Sequence, residues 1–344
     1  MILDGFAAQS IAAGAHCLRA GGLLGLPTET VYGLAADAEN DAAVAQIFSA
    51  KGRPADHPLI VHVPDAASVA HFAAEVPDFA SKLISAFWPG PLTVILPRRA
   101  GVAAAAAGGQ SSIGLRCPAH PVALALLKAC QVTDDPAQKT VWGVAAPSAN
   151  QFGRVSPTTA QHVQGEFDAD LLILDGGPCT VGIESTIIDC TRGVPVLLRP
   201  GAITREQVQA VCGLPVRLKD ELAEPAPRAS GTLESHYAPR AKVRLMDAQA
   251  LQAALDVVSP ALDEAPAANT DGPTVAVYAR TPLKTRSRQV LLQAMPVDAA
   301  AAAQELFAVL RALDAQGVKL IWIETPPASP EWDGVRDRLQ RAAH

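Results

Sequence analysis

Residues 22–50 of the chain read GLLGLPTETVYGLAADAENDAAVAQIFSA, and this stretch decides the class of fold. Gly22–Pro27 is a short apolar run that predicts a buried strand, whereas Asp41–Ala50 predicts a helix. The helix has apolar side chains at a spacing that places them on one face, namely Val44, Ile47 and Phe48. A strand, a polar turn and a helix in succession are typical of α/β folds.

The same alternation continues outward from this stretch. Further apolar strands are predicted at 59–63, 92–96, 113–116, 144–146, 171–174, 185–189 and 196–198. Some of them follow each other too closely for a helical crossover, which favours a mixed sheet over a purely parallel one. We therefore expect a large α/β domain over 1–216, a linker over 217–240 and a small three-layer α/β domain over 241–344. Within the small domain, 260–273 is expected to be a loop.

The bulk composition excludes several classes of protein. The 344 residues carry a formal net charge of −6, whereas proteins that wrap long nucleic acids non-specifically are usually basic. The six cysteines form no C-x-x-C pair, which argues against a zinc ribbon, and we expect no metal site. Met1–Ser10 lacks the pattern of a secretory signal, and no apolar stretch approaches the roughly 20 residues that span a bilayer. We expect a cytoplasmic protein with no membrane partner.

Polar residues cluster in turns that directly follow predicted strands. The first cluster, Pro27–Leu34 (PTETVYGL), holds two threonines, a carboxylate and a tyrosine within five residues. These residue types cap ordinary turns, but they also bind ligands where a strand end exposes them. This cluster alone leaves both interpretations open.

The second cluster contains two cations at the end of a predicted helix. Lys51 and Arg53 could simply offset the helix dipole, as cations near a helix C-terminus commonly do. They could also clamp a triphosphate, because arginine offers a planar fork of donors and lysine a point charge. His62 alternates with apolar residues in the strand 59–63, a pattern more typical of a buried core histidine than of a ligand.

Further clusters end strands later in the chain. Arg116 closes an apolar strand, and because arginine is seldom buried without an anion, it is a candidate for a substrate carboxylate or for a structural ion pair. Residues 146–150, 182–186 and 198–201 place more hydrogen-bonding groups at strand ends, and Ser156 or Thr158 could cap the next helix. The sequence has no G-x-x-x-x-G-K-[ST] loop and no G-x-G-x-x-G, so any ATP site must use a less common arrangement.

Together these clusters resemble the threonylcarbamoyl-AMP synthase family, the YrdC-type fold in its long two-domain form. The matching segments are PTETVYGL (27–34), KGRP with HPLIVH (51–62), WPGPLT (88–93), LRCPAHP (115–121), APSAN (146–150), GIESTI (182–187), LRPG (198–201) and, in the linker, SHYAP (235–239). The resemblance implies a twisted mixed sheet with a large concave cavity. It also implies a nucleotidyltransferase that converts L-threonine, bicarbonate or CO2 and ATP into threonylcarbamoyl-AMP and pyrophosphate.

The resemblance implies the site residues as well. The family's K-x-R…S-x-N set falls on Lys51, Arg53, Ser148 and Asn150. The L-threonine-binding positions fall on Thr30, His62, Arg116, Ser148 and Ser185. The ATP-binding positions fall on Arg53, His57, Ser112, Asn150, Thr158 (or Ser156), Arg199 and, from the linker, Tyr237. Mg2+ is expected to accompany ATP.

The resemblance also implies the partners, because the family's product supplies the threonylcarbamoyl group for the tRNA adenosine next to the anticodon. A transferase that takes the product and a weak tRNA contact are therefore expected. Tyr237 would act in a lid or would anchor the linker, and Thr133–Thr140 is expected to be an added surface loop.

Three other interpretations stay open. The first is a related carbamoyl-adenylate or other nucleotidyl transfer, although hydrogenase-maturation relatives add acylphosphatase and zinc-finger domains. The second is an RNA-binding module, whose binding would weaken steeply with salt. The third is a sensor of threonine or nucleotide, which would release no pyrophosphate.

Overall fold

The structure, a computed structural model, describes residues 1–132, 139–222, 227–231, 237–264 and 272–344. The chain divides into two compact units, Met1–Phe152 with Ser156–Thr232 and Gly153–Val155 with Leu233–His344. The three-part division at 216 and 241 stays a prediction. Most of the expected surface loop 133–140, and the first two residues of SHYAP, lie outside the described residues.

A single mixed sheet runs through the first unit. Its strands are β1 (Ile2–Asp4), β2 (Leu24–Leu26), β3 (Gly33–Asp37), β4 (Ile60–His62), β5 (Leu92–Pro97), β6 (Ser112–Arg116), β7 (Val144–Ala145), β8 (Leu172–Asp175), β9 (Thr186–Asp189), β10 (Val196–Arg199) and β11 (Arg217–Leu218). They lie in the order β1-β8-β2-β3-β7-β4-β6-β5-β9-β10-β11. β4 pairs with β6 in parallel and β6 with β5 in antiparallel orientation, so the predicted mixed sheet is confirmed.

Helices cover the sheet of this unit. They are α1 (Ala8–Arg19), α2 (Asp41–Lys51), α3 (Val69–Phe72), α4 (Asp78–Phe87), α5 (Pro121–Gln131), α6 (Ala160–Gln164), α7 (Arg205–Cys212) and a 3-10 helix (Lys219–Glu221). The Asn40 side chain accepts the Ala43 N–H to begin α2, and Gly52, at φ 61°, ends it in the left-handed region that favours glycine. This end fixes where Lys51 and Arg53 leave the helix.

The two faces of the central strands have different surroundings, because successive side chains of a strand point to opposite faces. One face supplies Val61, Val94 and Leu115 to the main aliphatic core, which also contains Phe72 and Leu83 from α3 and α4. The other face lines a pocket with Ile60, Thr93, Ile95, Ser112, Gly114 and Ile187. The predicted site residues of β4 and β6 therefore lie on the same side of these strands as this pocket, which we call the open sheet face.

The second unit is a parallel α/β sandwich. Its elements are β12 (Lys242–Met246), α8 (Ala248–Glu264), β13 (Val275–Ala279), β14 (Val290–Ala294), α9 (Ala299–Ala315), β15 (Leu320–Glu324), a 3-10 helix (Pro330–Trp332) and α10 (Asp333–Ala342). The strands lie in the order β12-β15-β13-β14. Leu251 of α8 packs with Val277 on one face, whereas Tyr278 on the other face donates to Glu305 of α9 over 2.8 Å. Helices on both faces confirm the small α/β domain.

One local prediction was wrong in part, and the first residues of the predicted linker form a short strand. Helix α8 extends to Glu264 with Pro260 inside it, so the expected loop begins later than 260. A proline inside a helix costs stability, but the hydrophobic face of α8 packs on the sheet and outweighs that local cost. Arg217, expected to open the linker, instead pairs with Val196 as part of β11. Within the described part of the chain, no helix is both long and apolar enough to cross a membrane.

Candidate active site

The turn after β2 is held in shape by a threonine hydroxyl. Thr28 Oγ1 donates to the carbonyl of Val31 over 2.6 Å and accepts the backbone N–H groups of Thr30 and Val31, each at 3.2 Å. Such side-chain bonds to nearby backbone favour a turn over a continued strand. The turn-capping interpretation is therefore correct for Thr28, while the two following side chains, Glu29 and Thr30, turn to Arg116.

Arg116, at the end of β6, makes three polar contacts through its guanidinium. Nη1 donates to Thr30 Oγ1 over 2.7 Å, Nε donates to the Gly90 carbonyl over 3.2 Å, and Nη2 lies 2.6 Å from Glu29 Oε1. Arg116 and Glu29 are both buried, with side-chain exposures of 4% and 7%. The structural ion pair considered for Arg116 is thus present, and its partner is a residue of the first polar cluster.

His62 lies beside Arg116, because the two residues face each other in the register of β4 and β6. Burial, with the positive charge of Arg116 as the second cause, lowers the pKa of His62 to about 3. The imidazole is therefore neutral throughout the physiological range. Its Nδ1 atom is buried and has no hydrogen-bond partner among the described residues, which distinguishes it from a satisfied core histidine.

Ser185 lies in a second hydrogen-bonded group on the neighbouring strands. Its hydroxyl is 2.7 Å from Thr93 Oγ1, and Arg199 Nη2 donates to the same Ser185 oxygen over 3.1 Å. Arg199 also donates to the Ser185 carbonyl through Nε and Nη2, and to the Ser230 carbonyl through Nη1 over 2.9 Å. Arg199 is 2% exposed, and the structure joins a predicted threonine-binding residue to a predicted ATP-binding one.

Lys51 binds backbone carbonyls. Its Nζ donates to the Ser148 carbonyl over 2.6 Å and to the Asn150 carbonyl. Burial, with the nearby Arg53 charge as the second cause, lowers the pKa of Lys51 to about 7. The structure thus brings together three members of the K-x-R…S-x-N set, with Arg53 close enough to act on the charge of the first.

The pocket on the open sheet face is also lined by the segment Arg228–Ser230 of the predicted linker. Arg53 donates to the Pro58 carbonyl over 3.0 Å and lies 3.4 Å from Ser230 Oγ. His57 lies near Arg53, and burial and that positive charge lower the pKa of His57. Ser112 is the predicted ATP-binding residue that lines the pocket, and Arg53 reaches it through its contact with the lining residue Ser230.

Thr158 and its substitute Ser156 have different partners. Thr158 is buried and lies 3.4 Å from the ring nitrogen Nδ1 of His162 through its hydroxyl. Ser156 is fully buried and donates its hydroxyl to Glu184, a residue of the GIESTI segment. Helix α6 is capped by neither of them, because Thr159 accepts the His162 N–H at its start. The predicted cap at Ser156 or Thr158 was therefore wrong.

Tyr237 belongs to the second unit. Its ring is 1% exposed, stacks on Phe307 with ring centroids 5.3 Å apart, and lies beneath the guanidinium of Arg338 at 5.4 Å. The backbone of Tyr237 has φ 63°, a left-handed conformation that is strained for a tyrosine. These contacts lie within the second unit, so they do not support the expected anchor to the first domain, and the contact of Tyr237 with ATP stays a prediction.

Sequence reasoning missed several residues that the structure brings to this site. Thr93 and Ser230 contact predicted site residues, and Glu29 contacts Arg116. Glu29 stood inside the first cluster, and a lone carboxylate between two threonines was the signal that could have identified it. In the described ranges, no group of three or more His, Cys, Asp or Glu side chains could hold a metal ion.

Two family models match the chain. Residues 16–201 match the Sua5/YciO/YrdC model, described as "Telomere recombination". Residues 203–344 match the model described as "Threonylcarbamoyl-AMP synthase, C-terminal domain". Between them, the models extend over most of the chain.

Curated relatives and a solved structure resemble the chain over most of its length. Threonylcarbamoyl-AMP synthase of Bacillus subtilis (strain 168) is 35% identical over 97% of this chain and 92% of its own. Threonylcarbamoyl-AMP synthase of Schizosaccharomyces pombe is 37% identical over 92% of this chain and 84% of its own. The crystal structure of Pyrococcus abyssi Sua5 complexed with L-threonine has a TM-score of 0.84 and 32% identity, covering 100% of this chain and 97% of that one.

Proposed function

The chain belongs to the threonylcarbamoyl-AMP synthase family, and from this premise we propose that it joins L-threonine, bicarbonate or CO2 and ATP into threonylcarbamoyl-AMP and pyrophosphate. The observation that carries the proposal is the convergence of two groups of buried cations and hydroxyls. Arg116 with Thr30 forms one group, and Arg199 with Ser185 forms the other. The first fits a small zwitterion and the second fits phosphate oxygens.

L-threonine binds in the first group. Besides the N–H groups that donate to Thr30 and Gly90, Arg116 has further N–H groups, and these donate to the carboxylate of the amino acid. Neutral His62 and the hydroxyls of Thr30 and Ser185 orient the amine and the side-chain hydroxyl. Ser148 completes this set from the turn that Lys51 holds. A related protein has been crystallised with L-threonine, which supports this choice of amino acid.

ATP binds on the open sheet face. Arg53, Arg199 and His57 bind the triphosphate with Lys51 behind them, while Ser112, Asn150 and Thr158 supply further polar contacts. Mg2+ enters as part of the ATP substrate, because the side chains that face the phosphates are cations and hydroxyls. These groups stabilise the negative charge that grows on the phosphates during transfer.

The reaction takes place in two steps. The deprotonated amine attacks CO2 and loses a proton to solvent, which gives a carbamate. A carbamate oxygen then attacks the α-phosphorus of ATP as the bond to the bridging oxygen breaks, and pyrophosphate leaves. Neither step requires a side-chain nucleophile, and the chain's contribution is to position three small reactants and to stabilise charge. A transferase then moves the threonylcarbamoyl group to tRNA, with at most a weak tRNA contact from this acidic chain.

Pyrophosphate release tests the proposal. The full chain is incubated with Mg2+, ATP and bicarbonate, with and without L-threonine, and pyrophosphate is measured. Release that requires both threonine and bicarbonate is expected. Release that ignores either reactant, or no release by folded protein, would contradict the proposed reaction and favour the sensor interpretation.

A further inference from the structure

Glu29 is a buried carboxylate whose hydrogen-bonding capacity is unmet. Its side chain is 7% exposed and forms an ion pair with Arg116, in which Oε1 lies 2.6 Å from Nη2. The N–H groups of Arg116 are not directed at that oxygen, so neither Oε1 nor Oε2 receives a hydrogen bond. A charged group buried in this way is costly, because nothing replaces the hydrogen bonds it would make to water.

Other buried carboxylates of the first unit are satisfied. Asp189 accepts the N–H and the hydroxyl of Thr191 at 2.9 and 2.7 Å, and it pairs with Arg192 at 3.0 Å. Asp37 accepts the N–H of Glu39 and pairs with Lys139 at 2.7 Å. Within the described part of the chain, Glu29 is the one carboxylate whose two buried oxygens both lack a hydrogen bond.

The two carboxylate oxygens of Glu29, which receive no hydrogen bond from the described residues, lie among groups that could bind a small ligand. Arg116 bridges Glu29 to Thr30, and His62 faces Arg116 across the strand pair with its own Nδ1 unpartnered. Arg116 therefore lies beside both Glu29 and His62. Among the residues that the structure describes, the Glu29 carboxylate receives no hydrogen bond, Arg116 has an N–H group without an acceptor, and the His62 imidazole is neutral. The group that would satisfy the carboxylate must carry several N–H donors and a positive charge.

An α-amino acid has this chemistry. Its ammonium and carboxylate groups are joined through one carbon atom, so a site that recognises both must present opposite charges next to each other. We propose that Glu29 accepts the ammonium group of the amino-acid substrate while Arg116 receives its carboxylate. This assignment rests on the proposed function, and it makes Glu29 the residue that selects an amino acid over a related hydroxy acid without the amine.

Calorimetric titration of the full chain with two ligands tests the assignment. The ligands are L-threonine and (R)-3-hydroxybutyrate, which keeps the carboxylate and hydroxyl of threonine but lacks the amine. In Glu29→Gln, the Kd for L-threonine is expected to rise at least about tenfold, the effect of losing a hydrogen bond to a charged group. The Kd for the hydroxy acid is expected to change by no more than about twofold, since uncoupled changes add.

Two further variants complete the design. Glu29→Asp keeps the ion pair's charge but withdraws the oxygens, so it is expected to weaken threonine binding selectively even if Glu29→Gln folds poorly. Glu39→Gln is the matched control, because Glu39 pairs with His71 at 2.8 Å and takes no part in the proposed site. It is expected to bind both ligands like the wild-type chain.

The outcomes separate the two proposals. Equal weakening of both ligands in Glu29→Gln and Glu29→Asp would show that Glu29 only holds Arg116, and would overturn the assignment. Unchanged threonine binding in those variants would overturn it as well, while leaving the proposed function intact. A wild-type chain that binds no threonine would overturn the proposed function and the assignment with it.

Discussion

Each of the two units contains a glutamate–arginine pair with a buried carboxylate at strand ends, and the pairs differ in the hydrogen bonds that this carboxylate receives. In the first unit, Glu29 and Arg116 are 2.6 Å apart, and the carboxylate receives no hydrogen bond. In the second, Glu324 and Arg280 are 2.7 Å apart. Glu324 also accepts the N–H groups of Arg280 and Thr281, each at 2.7 Å, and the Thr281 hydroxyl at 3.2 Å.

The difference teaches which pair is structural and which is prepared for a ligand. In open parallel sheets, ligands commonly bind outside the carboxyl ends of the strands. In the second unit that place, at the ends of β13 and β15, is taken by the pair itself, with Trp332 packed on Arg280 at 5.3 Å. In the first unit, the Glu29 carboxylate receives no hydrogen bond from the part of the chain that the structure describes. This is expected of a site in which a bound substrate supplies the missing hydrogen-bond donors.

The largest expected effect is on stability, and it tests whether the second pair is structural. Glu324→Gln should lower the free energy of unfolding by about 3 kcal/mol, because the N–H groups of Arg280 and Thr281 and the Arg280 guanidinium lose their charged acceptor. Glu29→Gln should cost less, about 1 kcal/mol, since its carboxylate receives no hydrogen bonds and Arg116 keeps its bonds to Thr30 and Gly90. Urea denaturation, with hydrogen exchange of the β13 and β15 amides, measures both. Equal losses in the two variants would remove the distinction.

The next effect is on substrate binding and concerns the arginines. Arg116→Ala should raise the KM for L-threonine by about 100-fold, the consequence of losing a charge-assisted contact to the carboxylate. Arg280→Ala is the matched control, expected to destabilise the chain without changing that KM. The measurement is threonine-dependent pyrophosphate release. An unchanged KM in Arg116→Ala would assign its pair to structure, like that of Arg280.

The third effect is a pH dependence of the free energy of unfolding, which the buried imidazole of His62 should produce. The folded pKa of His62 is about 3, below the ordinary value near 6.5, so between these values the unfolded chain binds a proton that the folded chain does not. The contribution of neutral His62 to the free energy of unfolding is therefore fully present above pH 6.5. Acidification reduces this free energy by about 2 kcal/mol between pH 7 and pH 5.

His62→Gln should remove most of this slope and leave a smaller part, to which His57 contributes because its pKa is also lowered, whereas His71→Gln, at a histidine paired with Glu39, should keep the slope in full. Denaturation midpoints measured at several pH values give the result. A slope that is unchanged in His62→Gln would mean that the ring is not held neutral.

The smallest effect is on ATP affinity and concerns Lys51, whose ammonium group donates to backbone carbonyls. Because its pKa is lowered to about 7, it loses its charge as the pH rises through neutrality. ATP affinity should therefore weaken by severalfold between pH 6.5 and pH 8.5, and the decline should be shallower in Lys51→Arg, whose guanidinium stays charged. Calorimetry without threonine or bicarbonate measures it. Parallel pH profiles would exclude a role for the Lys51 charge in binding ATP.

The sequence by itself determined the α/β class, the mixed sheet and the grouping of polar residues at strand ends. These features depend on local patterns, such as the apolar runs of β5 and β6, which persist in any fold that buries them. It did not reveal β3, because Gly33–Asp37 (GLAAD) lacks the β-branched residues that mark a strand, and pairing with β2 decides its conformation.

The tertiary structure alone decided which of the polar residues meet. Glu29 and Arg116 are far apart in the chain, and only the sheet order places the turn after β2 close to the end of β6. The two threonines beside Glu29 mark it as part of a polar turn, but the local sequence does not show which donors reach its carboxylate or that of Glu324. Whether such a carboxylate is saturated depends on the donors that distant segments bring to it, and hydrogen-bond satisfaction is a property of the assembled fold.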